Sequence, residues 1–475
     1  MRSVSFVEHI ELDFSGNLFN EGLLLEDIDN DGSNELVLGN VNGEIFVFKG
    51  TASKPWRVSK QNGMITCVGS GDLWNRGKKV LVAITADGWC HLFDIERKPE
   101  DGYTMRPSYS QLLPSNAKTL LIADIDGDGL CEMVTGHTDR EVYVHRWIAE
   151  QLTTESSPAK GGVANAQTYE EIGSPLPLET NSLPKQKPKP PLDNKQLSKD
   201  EKQENKEPEN VPSEHDEIEI PRGHFAQIKS WSLYSQITSL VIYKASRTQY
   251  LLVSQPGGTF INLLATDISK TEDKQEEHSA GFKADFPLPF LRSKQNQGIT
   301  TTMVTLSPNH SSNRDNDDPE LLAIGLLDGD LSVLNQNRIL WTLHLEQNIF
   351  SLSKLDVTSD GYEEIIACAW DGSTYIIDSD QNIVKFEFRE NVLAFGAGHF
   401  AVNGANVPCL VYVTFSNTVV IYWNITLSRL TPANLVKVTS DQEETINALE
   451  KLGVAEGGHI DKNKFQKLCA NILYG

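Results

Sequence analysis

Short apolar runs alternate with polar turns along most of the chain, and one hairpin pattern occurs seven times. In the first copy, an apolar run at 35–39 is followed by the turn Asn42-Gly43 and by a second, alternating run at 44–48. Asn-Gly and Asp-Gly supply the positive φ angles of a type I′ turn, so these junctions predict tight antiparallel hairpins. The seven copies begin at Leu36, Leu81, Met133, Leu251, Leu321, Ile365 and Leu410.

Where nothing is inserted, the copies repeat at about 45 residues, which is typical of a four-stranded propeller blade. One blade cannot bury both of its faces, whereas seven blades arranged radially can. The pattern therefore predicts an all-β fold, a seven-bladed β-propeller. The seventh copy lacks an outer strand, and the run at 4–12 precedes the first blade. We expect this N-terminal strand to pair with blade seven and close the ring.

The remaining segments divide the chain into further parts. Residues 1–150 hold the closing strand and blades one to three, and 221–430 hold blades four to seven. Residues 151–220 are rich in proline and charge with few large apolar side chains, which predicts a disordered insert. A shorter charged insert is expected at 267–283.

The segment 431–475 has the pattern of a short helical pair. Ser440-Asp441-Gln442-Glu443 is a capping box, and Asp461 is placed to cap a second helix. Two roles stay open for this pair: it covers a face of the propeller, or it docks onto another subunit.

Composition narrows the class of partner. The 475 residues carry a formal charge of −23, which argues against non-specific nucleic-acid binding and favours proteins or cations. The opening residues contain no signal-peptide core, and no run reaches the roughly 18 apolar residues of a membrane span. The six cysteines lie far apart, as expected of reduced thiols. We therefore expect a soluble protein of the cytoplasm.

Acidic loops precede three of the hairpins. The first carries Asp27, Asp29, Asp31 and Glu35, the second Asp124, Asp126, Asp128 and Glu132, and the third, a thinner version, Asp356, Asp360 and Glu364. Acids at loop positions one, three, five and nine, with glycine at six, form an oxygen cage for a hard cation such as calcium. Magnesium and unoccupied loops stay open as alternatives. An EF-hand is excluded because position twelve is Leu38 or Thr135 instead of glutamate, and because the flanking segments are strands.

Loops of the form D-x-D-x-D-G at the start of propeller blades resemble the FG-GAP repeats of integrin alpha subunits. Along its length the chain is also similar to the FG-GAP repeat-containing subunits of the KICSTOR complex. The tripeptide Gly-Ala-Pro is absent, and Phe395-Gly396-Ala397-Gly398 comes nearest to it.

This resemblance implies a non-enzymatic scaffold that pairs with kaptin and other KICSTOR subunits. Such a subunit would help recruit the GATOR complex to the lysosomal surface and restrain target-of-rapamycin complex signalling when amino acids are scarce. It implies peripheral membrane association through partners, and neither a nucleic acid nor a small-molecule substrate.

Three other classes of protein fit the sequence less well. An extracellular calcium-dependent adhesion or glycan-binding propeller is disfavoured by the missing signal segment and by the unpaired cysteines. A hydrolase is disfavoured because the acidic clusters repeat with the blades and have no accompanying histidine or nucleophile. A WD-repeat scaffold fits poorly, because Trp370-Asp371 is the only Trp-Asp pair at a blade hairpin.

Overall fold

Two-residue turns and alternating apolar strands build the sheets that the pattern predicts. A computed structural model describes residues 2–96, 102–150, 221–245, 248–256, 259–264, 301–306, 320–335, 338–431, 435–440, 443–457 and 459–474. All structural statements below refer to these residues. The predicted inserts at 151–220 and 267–283 lie outside them.

The first three sheets each contain four antiparallel strands, numbered here in chain order. Two strands, β1 (Arg2–Val4) and β2 (His9–Leu12), and a 3-10 turn (Asn20–Gly22) precede them. Blade 1 contains β3 (Leu23–Glu26), β4 (Glu35–Gly39), β5 (Ile45–Phe48) and β6 (Arg57–Ser59). Blade 2 contains β7 (Ile65–Gly71), β8 (Val80–Thr85), β9 (Trp89–Phe93) and β10 (Tyr109–Leu112). Blade 3 contains β11 (Ala117–Ala123), β12 (Glu132–His137), β13 (Glu141–Ala149) and β14 (Gly223–Ser232).

Four further sheets follow. Blade 4 is described as β15 (Ser239–Ala245), β16 (Thr248–Gln255) and β17 (Thr259–Leu264). Blade 5 contains β18 (Thr301–Leu306), β19 (Leu321–Leu326), β20 (Asp330–Asn335) and β21 (Arg338–His344). Blade 6 contains β22 (Ile349–Leu355), β23 (Glu364–Ala369), β24 (Ser373–Ile377) and β25 (Ile383–Glu387). Blade 7 contains β26 (Val392–Val402), β27 (Ala405–Thr414) and β28 (Val419–Trp423), with β2 as its fourth strand.

The first strands of the blades form the inside of the ring. Each of β3, β7, β11, β15, β18, β22 and β26 contacts the next, and β26 contacts β3. The predicted seven-bladed β-propeller is therefore confirmed.

The N-terminal strand closes the ring as predicted, and it does so in two pieces. Strand β2 pairs antiparallel with β28, placing Leu12 opposite Val419. Strand β1 adds a fifth, parallel strand to blade 6 by pairing with β25, a contact that the sequence pattern did not predict. Next to it, Phe6 packs against Phe386 with the ring centroids 5.0 Å apart. One short segment thus joins two neighbouring blades.

The core lies between adjacent blades because each sheet buries both faces. Every residue of β4, β8, β12 and β23 is buried. Where the sheets approach closely, only glycine fits: a Cβ on Gly39 would lie 2.6 Å from Ile65 Cγ2 of blade 2.

In blade 3 the predicted insert lies between β13 and β14, and these two strands stay paired up to the residues that flank it. Ala149 pairs with Gly223, and the Arg222 carbonyl accepts a hydrogen bond from the Glu150 amide at 2.9 Å.

The C-terminal segment contains α1 (Leu435–Ser440), α2 (Glu443–Lys451), a small hairpin of β29 (Ala455–Glu456) and β30 (His459–Ile460), and α3 (Lys462–Tyr474). The predicted helical pair corresponds to α2 and α3. Leu449, Val454 and Phe465 are buried in one cluster between them. As predicted, Asp461 caps α3, since its Oδ1 accepts the amide of Asn463 at 3.0 Å. None of the described helices is long and apolar enough to cross a membrane.

Candidate metal-binding loops

The three acidic loops join the first and second strands of blades 1, 3 and 6, so they lie on the same side of the ring. Each makes the same turn. Position four has a left-handed backbone at Asn30, Gly127 and Ser359, with φ of 59°, 80° and 58°. The glycine at position six is also left-handed in all three loops, with φ between 86° and 88°. Glycine suits position six because it adopts a positive φ without the steric cost that a Cβ would add.

The acid at position one organises the turn. Asp27, Asp124 and Asp356 each accept the amide of the position-six glycine, at 2.9, 2.9 and 3.0 Å. The acid at position five accepts the amide of position seven in all three loops, at Asp31, Asp128 and Asp360. These bonds hold the loop shape through backbone amides alone.

The glutamate at position nine is the most buried acid of each loop. Glu35 and Glu132 are fully buried, and Glu364 is 3% exposed. Each accepts the amide of the position-two residue, at 3.1, 3.0 and 2.7 Å. Burial raises the pKa of Glu35 and of Glu132 to about 7, and it raises the pKa of Glu364 as well. A nearby positive charge would favour their ionised forms.

The loops bring most of the predicted ligands together. One oxygen from each member of three groups lies within 4.8 Å of the others: Asp27, Asp29 and Glu35; Asp124, Asp126 and Glu132; Asp356, Asp360 and Glu364. These groups could hold a metal ion. Asp31 and Asp128 lie at the rim and contact basic side chains.

In blade 1 that basic side chain is Lys49, which directly follows strand β5. Its Nζ lies 2.5 Å from Asp29 Oδ2, 2.6 Å from Asp31 Oδ2 and 2.9 Å from Glu35 Oε1. Burial works against the charge of Lys49, but hydrogen bonds to these acids raise its pKa overall. Even so, Asp27 Oδ1 and Asp29 Oδ1 are buried and accept no hydrogen bond. The carboxylates of the blade 1 loop therefore have oxygen atoms that are free to coordinate a cation.

In blade 3 the corresponding residue is Arg146, opposite Glu132 in the pairing of β12 with β13. Its Nε donates to Glu132 Oε1 at 2.8 Å. Its Nη1 lies 2.9 Å from Asp128 Oδ2, and its Nη2 lies 3.0 Å from Asp126 Oδ2. Burial acts against its charge, while Glu132 and the two aspartates raise its pKa. Unlike blade 1, the described cage of blade 3 contains no buried oxygen without a hydrogen-bond donor.

Blade 6 places an acid where the other two loops have a base. Ile365 pairs with Ile377, so the next position along brings Asp378 opposite Glu364. Asp378 turns to its own hairpin and accepts the Asn382 amide at 2.8 Å. Glu364 Oε1 instead accepts a hydrogen bond from Thr358 Oγ1 at 2.9 Å.

Sequence reasoning missed Lys49 and Arg146 because it examined the acids alone. The sequence does contain the signal, since counting across each hairpin turn from the position-nine glutamate to its partner on the next strand leads to these residues. The same count leads to Asp378 in blade 6.

Blade 2 keeps the shape of the loop and its acid at position one, but not the other acids. Asp72 still accepts the amide of the position-six glycine, Gly77, at 2.6 Å. Trp74, at position three, packs edge-on against Trp147 with ring centroids 6.3 Å apart, and buried Val80 stands at position nine. A core contact thus replaces the cage.

Side-chain amides link these loops to neighbouring blades. Asn30 bonds to Lys79 of blade 2 through both its Oδ1 and its Nδ2, at 2.9 and 3.1 Å. Asn75 Oδ1 accepts the Cys131 amide of blade 3 at 3.0 Å. Asn406 of blade 7 bonds to the backbone of the blade 1 loop. The loops therefore brace the ring as well as themselves.

The chain is similar to known proteins along nearly its whole length. The family model described as integrin-alpha FG-GAP repeat-containing protein 2 matches residues 49–168 and 210–427. The mouse protein named KICSTOR complex protein ITFG2 is 35% identical, with 96% of this chain and 92% of that protein covered. The protein of the same name from cattle is also 35% identical, with 93% of this chain and 75% of that protein covered.

Among solved structures, the chain is similar to BBS1N crystallised in complex with ARL6DN and soaked with mercury. The TM-score is 0.51 at 11% identity, with 89% of this chain and 97% of that chain covered. At this identity the likeness supports the propeller fold alone.

Proposed function

This chain belongs to the family of the integrin-alpha FG-GAP repeat-containing protein 2, and from that membership we propose that it is a non-enzymatic scaffold subunit of a KICSTOR complex. In this role it pairs with kaptin and other KICSTOR subunits at the cytoplasmic surface of the lysosome. The assembly recruits the GATOR complex and restrains target-of-rapamycin complex signalling when amino acids are scarce. The observation that carries the proposal is 35% identity along nearly the whole chain to a protein named as a KICSTOR component.

The chemistry of the described residues supports a scaffold. The six cysteines are free, and Cys67, Cys90, Cys368 and Cys409 are buried. Burial raises the pKa of Cys90 to about 12, so this thiol is a poor nucleophile at neutral pH. The carboxylates that stand closest together are engaged with backbone amides and basic side chains, which suits them to bracing the ring.

The test is purification of the tagged full-length chain from its native cells, followed by mass spectrometry. We expect kaptin and the other KICSTOR subunits to be enriched, and GATOR subunits to follow in lower amounts. A folded chain that enriches none of them over a tag control would overturn the proposal. In cells lacking the chain, target-of-rapamycin signalling is expected to persist during amino-acid starvation, and the tagged chain is expected to colocalise with a lysosomal marker.

Repeating the same purification with surface variants would show which face of the propeller contacts the partner. Trp370 and Phe415 are 43% and 59% exposed and lie near each other, because both contact the segment 391–392. Tyr362, 51% exposed, lies in the acidic loop of blade 6 on the opposite side. The Trp370→Ser/Phe415→Ser pair and Tyr362→Ser each remove exposed aromatic area, and the first pair also loses the stacking of Trp370 on Phe350. The variant that no longer enriches kaptin identifies the face that contacts it.

Calcium as a structural cofactor is the second part of the proposal, at the loops of blades 1 and 6. It is supported by the unsatisfied oxygens of Asp27 and Asp29, and by the absence of an opposing base at Glu364 in the described hairpin. When bound, the ion would supply a positive charge to these carboxylates. Titration calorimetry on metal-free protein tests this, with Asp31→Asn and Asp360→Asn each weakening one site by roughly tenfold or more through the lost charge. Absence of calcium binding by the wild-type chain would overturn it.

A further inference from the structure

Arg146 contacts three of the four acids of the blade 3 loop, and neither of the other acidic loops has an arginine at the corresponding position. Its guanidinium lies within hydrogen-bond distance of Asp126, Asp128 and Glu132 at once. A guanidinium has five N–H donors in a planar fork, whereas an ammonium has three on one atom. In blade 1, Asp27 Oδ1 and Asp29 Oδ1 accept no hydrogen bond, whereas the corresponding oxygens of Asp124 and Asp126 in blade 3 accept the amides of Gly127 and Asp128. Together with Arg146, these amides leave no buried cage oxygen of blade 3 without a donor among the described atoms.

The position of Arg146 follows from the backbone. Arg146 pairs directly with Glu132 across β12 and β13, and cross-strand partners project from the same face of a sheet. Only 22% of its side chain is exposed, and Asp126 and Glu132 are 1% and 0% exposed. A guanidinium held at this place occupies the same oxygens that a cation would coordinate.

The structure assigns to Arg146 the place of the metal ion in blade 3. This loop is closed by a charge built into the chain, so it needs no divalent cation, although its acids match the sequence pattern of a calcium loop more fully than those of blade 6. The inference deepens the calcium part of the proposed function by excluding one of the three loops. It does not depend on membership in a complex.

Calcium titration of metal-free, full-length protein tests the inference. Asp128→Asn removes one acid of the blade 3 cage, and in the wild-type background it is expected to leave the number and affinity of bound calcium ions unchanged. Arg146→Met removes the guanidinium while keeping a long, unbranched side chain. It is expected to raise the stoichiometry by one ion per chain, and to give a Tm that rises on adding calcium.

The matched control is Arg140→Met, which removes an arginine at the other end of the same hairpin, outside the cage. It should bind as many ions as the wild type. Loss of one ion in Asp128→Asn, or no gained ion in a folded Arg146→Met variant, would overturn the inference. If Arg146→Met does not fold, the Asp128→Asn comparison decides. A wild-type chain that binds no calcium would refute the calcium proposal, while a gained site in Arg146→Met would still support the role of Arg146.

Discussion

Ring closure by β2 makes Leu12 the most informative single position for stability. Its side chain is 5% exposed and packs in a cluster that joins Val419 of blade 7 to Leu36 and Phe46 of blade 1. Leu12→Ala removes buried apolar surface and leaves a cavity at the seam, which costs about 2–5 kcal/mol. Because the unfolding entropy grows with chain length, a loss of that size lowers the Tm of a ring this large by only about 2–6 °C.

Denaturant is the better assay, followed by the fluorescence of the eight tryptophans. Leu12→Ala is expected to shift the urea midpoint clearly below that of the wild type and to speed unfolding, since opening at the seam releases both blades. Glu11→Ala is the matched control, because Glu11 lies next to Leu12 in the same strand with an exposed side chain. If the free energies of unfolding of the two variants agreed within about 0.5 kcal/mol, the idea that this strand locks the ring would be refuted.

Three further predictions concern the interior and the insert. Burial lowers the pKa of His145 to about 4, whereas the unfolded chain titrates near 6.5. Above pH 6.5 His145 is neutral in both states and does not lower the free energy of unfolding, but as the pH drops to 4 it lowers that free energy by up to about 3 kcal/mol. His145→Gln should flatten this part of the profile of unfolding free energy against pH. Parallel profiles for the wild type and the variant would contradict the assignment. Gly39→Ala should cost about 1–3 kcal/mol, because its Cβ would lie 2.6 Å from Ile65 Cγ2, and an unchanged midpoint would show that the blades can separate there. Replacing residues 155–215 by a short Gly-Ser linker should change stability by less than about 1 kcal/mol, since the hairpin is already closed by the pair Ala149 and Gly223; a larger loss in thermal melts would give the insert a structural role.

The propeller could be predicted because its information is local and repeated. Each hairpin has its own turn residues and its own alternation, so an error in one copy is corrected by the others. The spare run before blade 1 and the missing strand after Trp423 pointed to ring closure for the same reason. The pairing of β1 with β25 could not be predicted, because three residues carry no periodic pattern and the contact joins segments about 380 positions apart.

The acidic loops join strands as predicted, but the sequence analysis ranked them by their acids alone, with the loop of blade 6 as the thinnest. Their acids are close in sequence, while the residues that decide what the cage holds come from across a hairpin. Lys49, Arg146 and Asp378 occupy equivalent positions in their three blades, and their side chains are an ammonium, a guanidinium and a carboxylate. A prediction that pairs each position-nine glutamate with its cross-strand neighbour would have distinguished the three cages.

The order of strands along the chain also has a consequence for synthesis on the ribosome. Strand β2 emerges early, yet its partner β28 lies more than 400 residues later. At roughly 5–20 residues per second, translation separates the two by about 20–80 seconds. During that time the growing propeller is an open arc with an unpaired sheet edge at each end. Nascent chains of this protein are therefore expected to need chaperone protection until the last blade has left the exit tunnel.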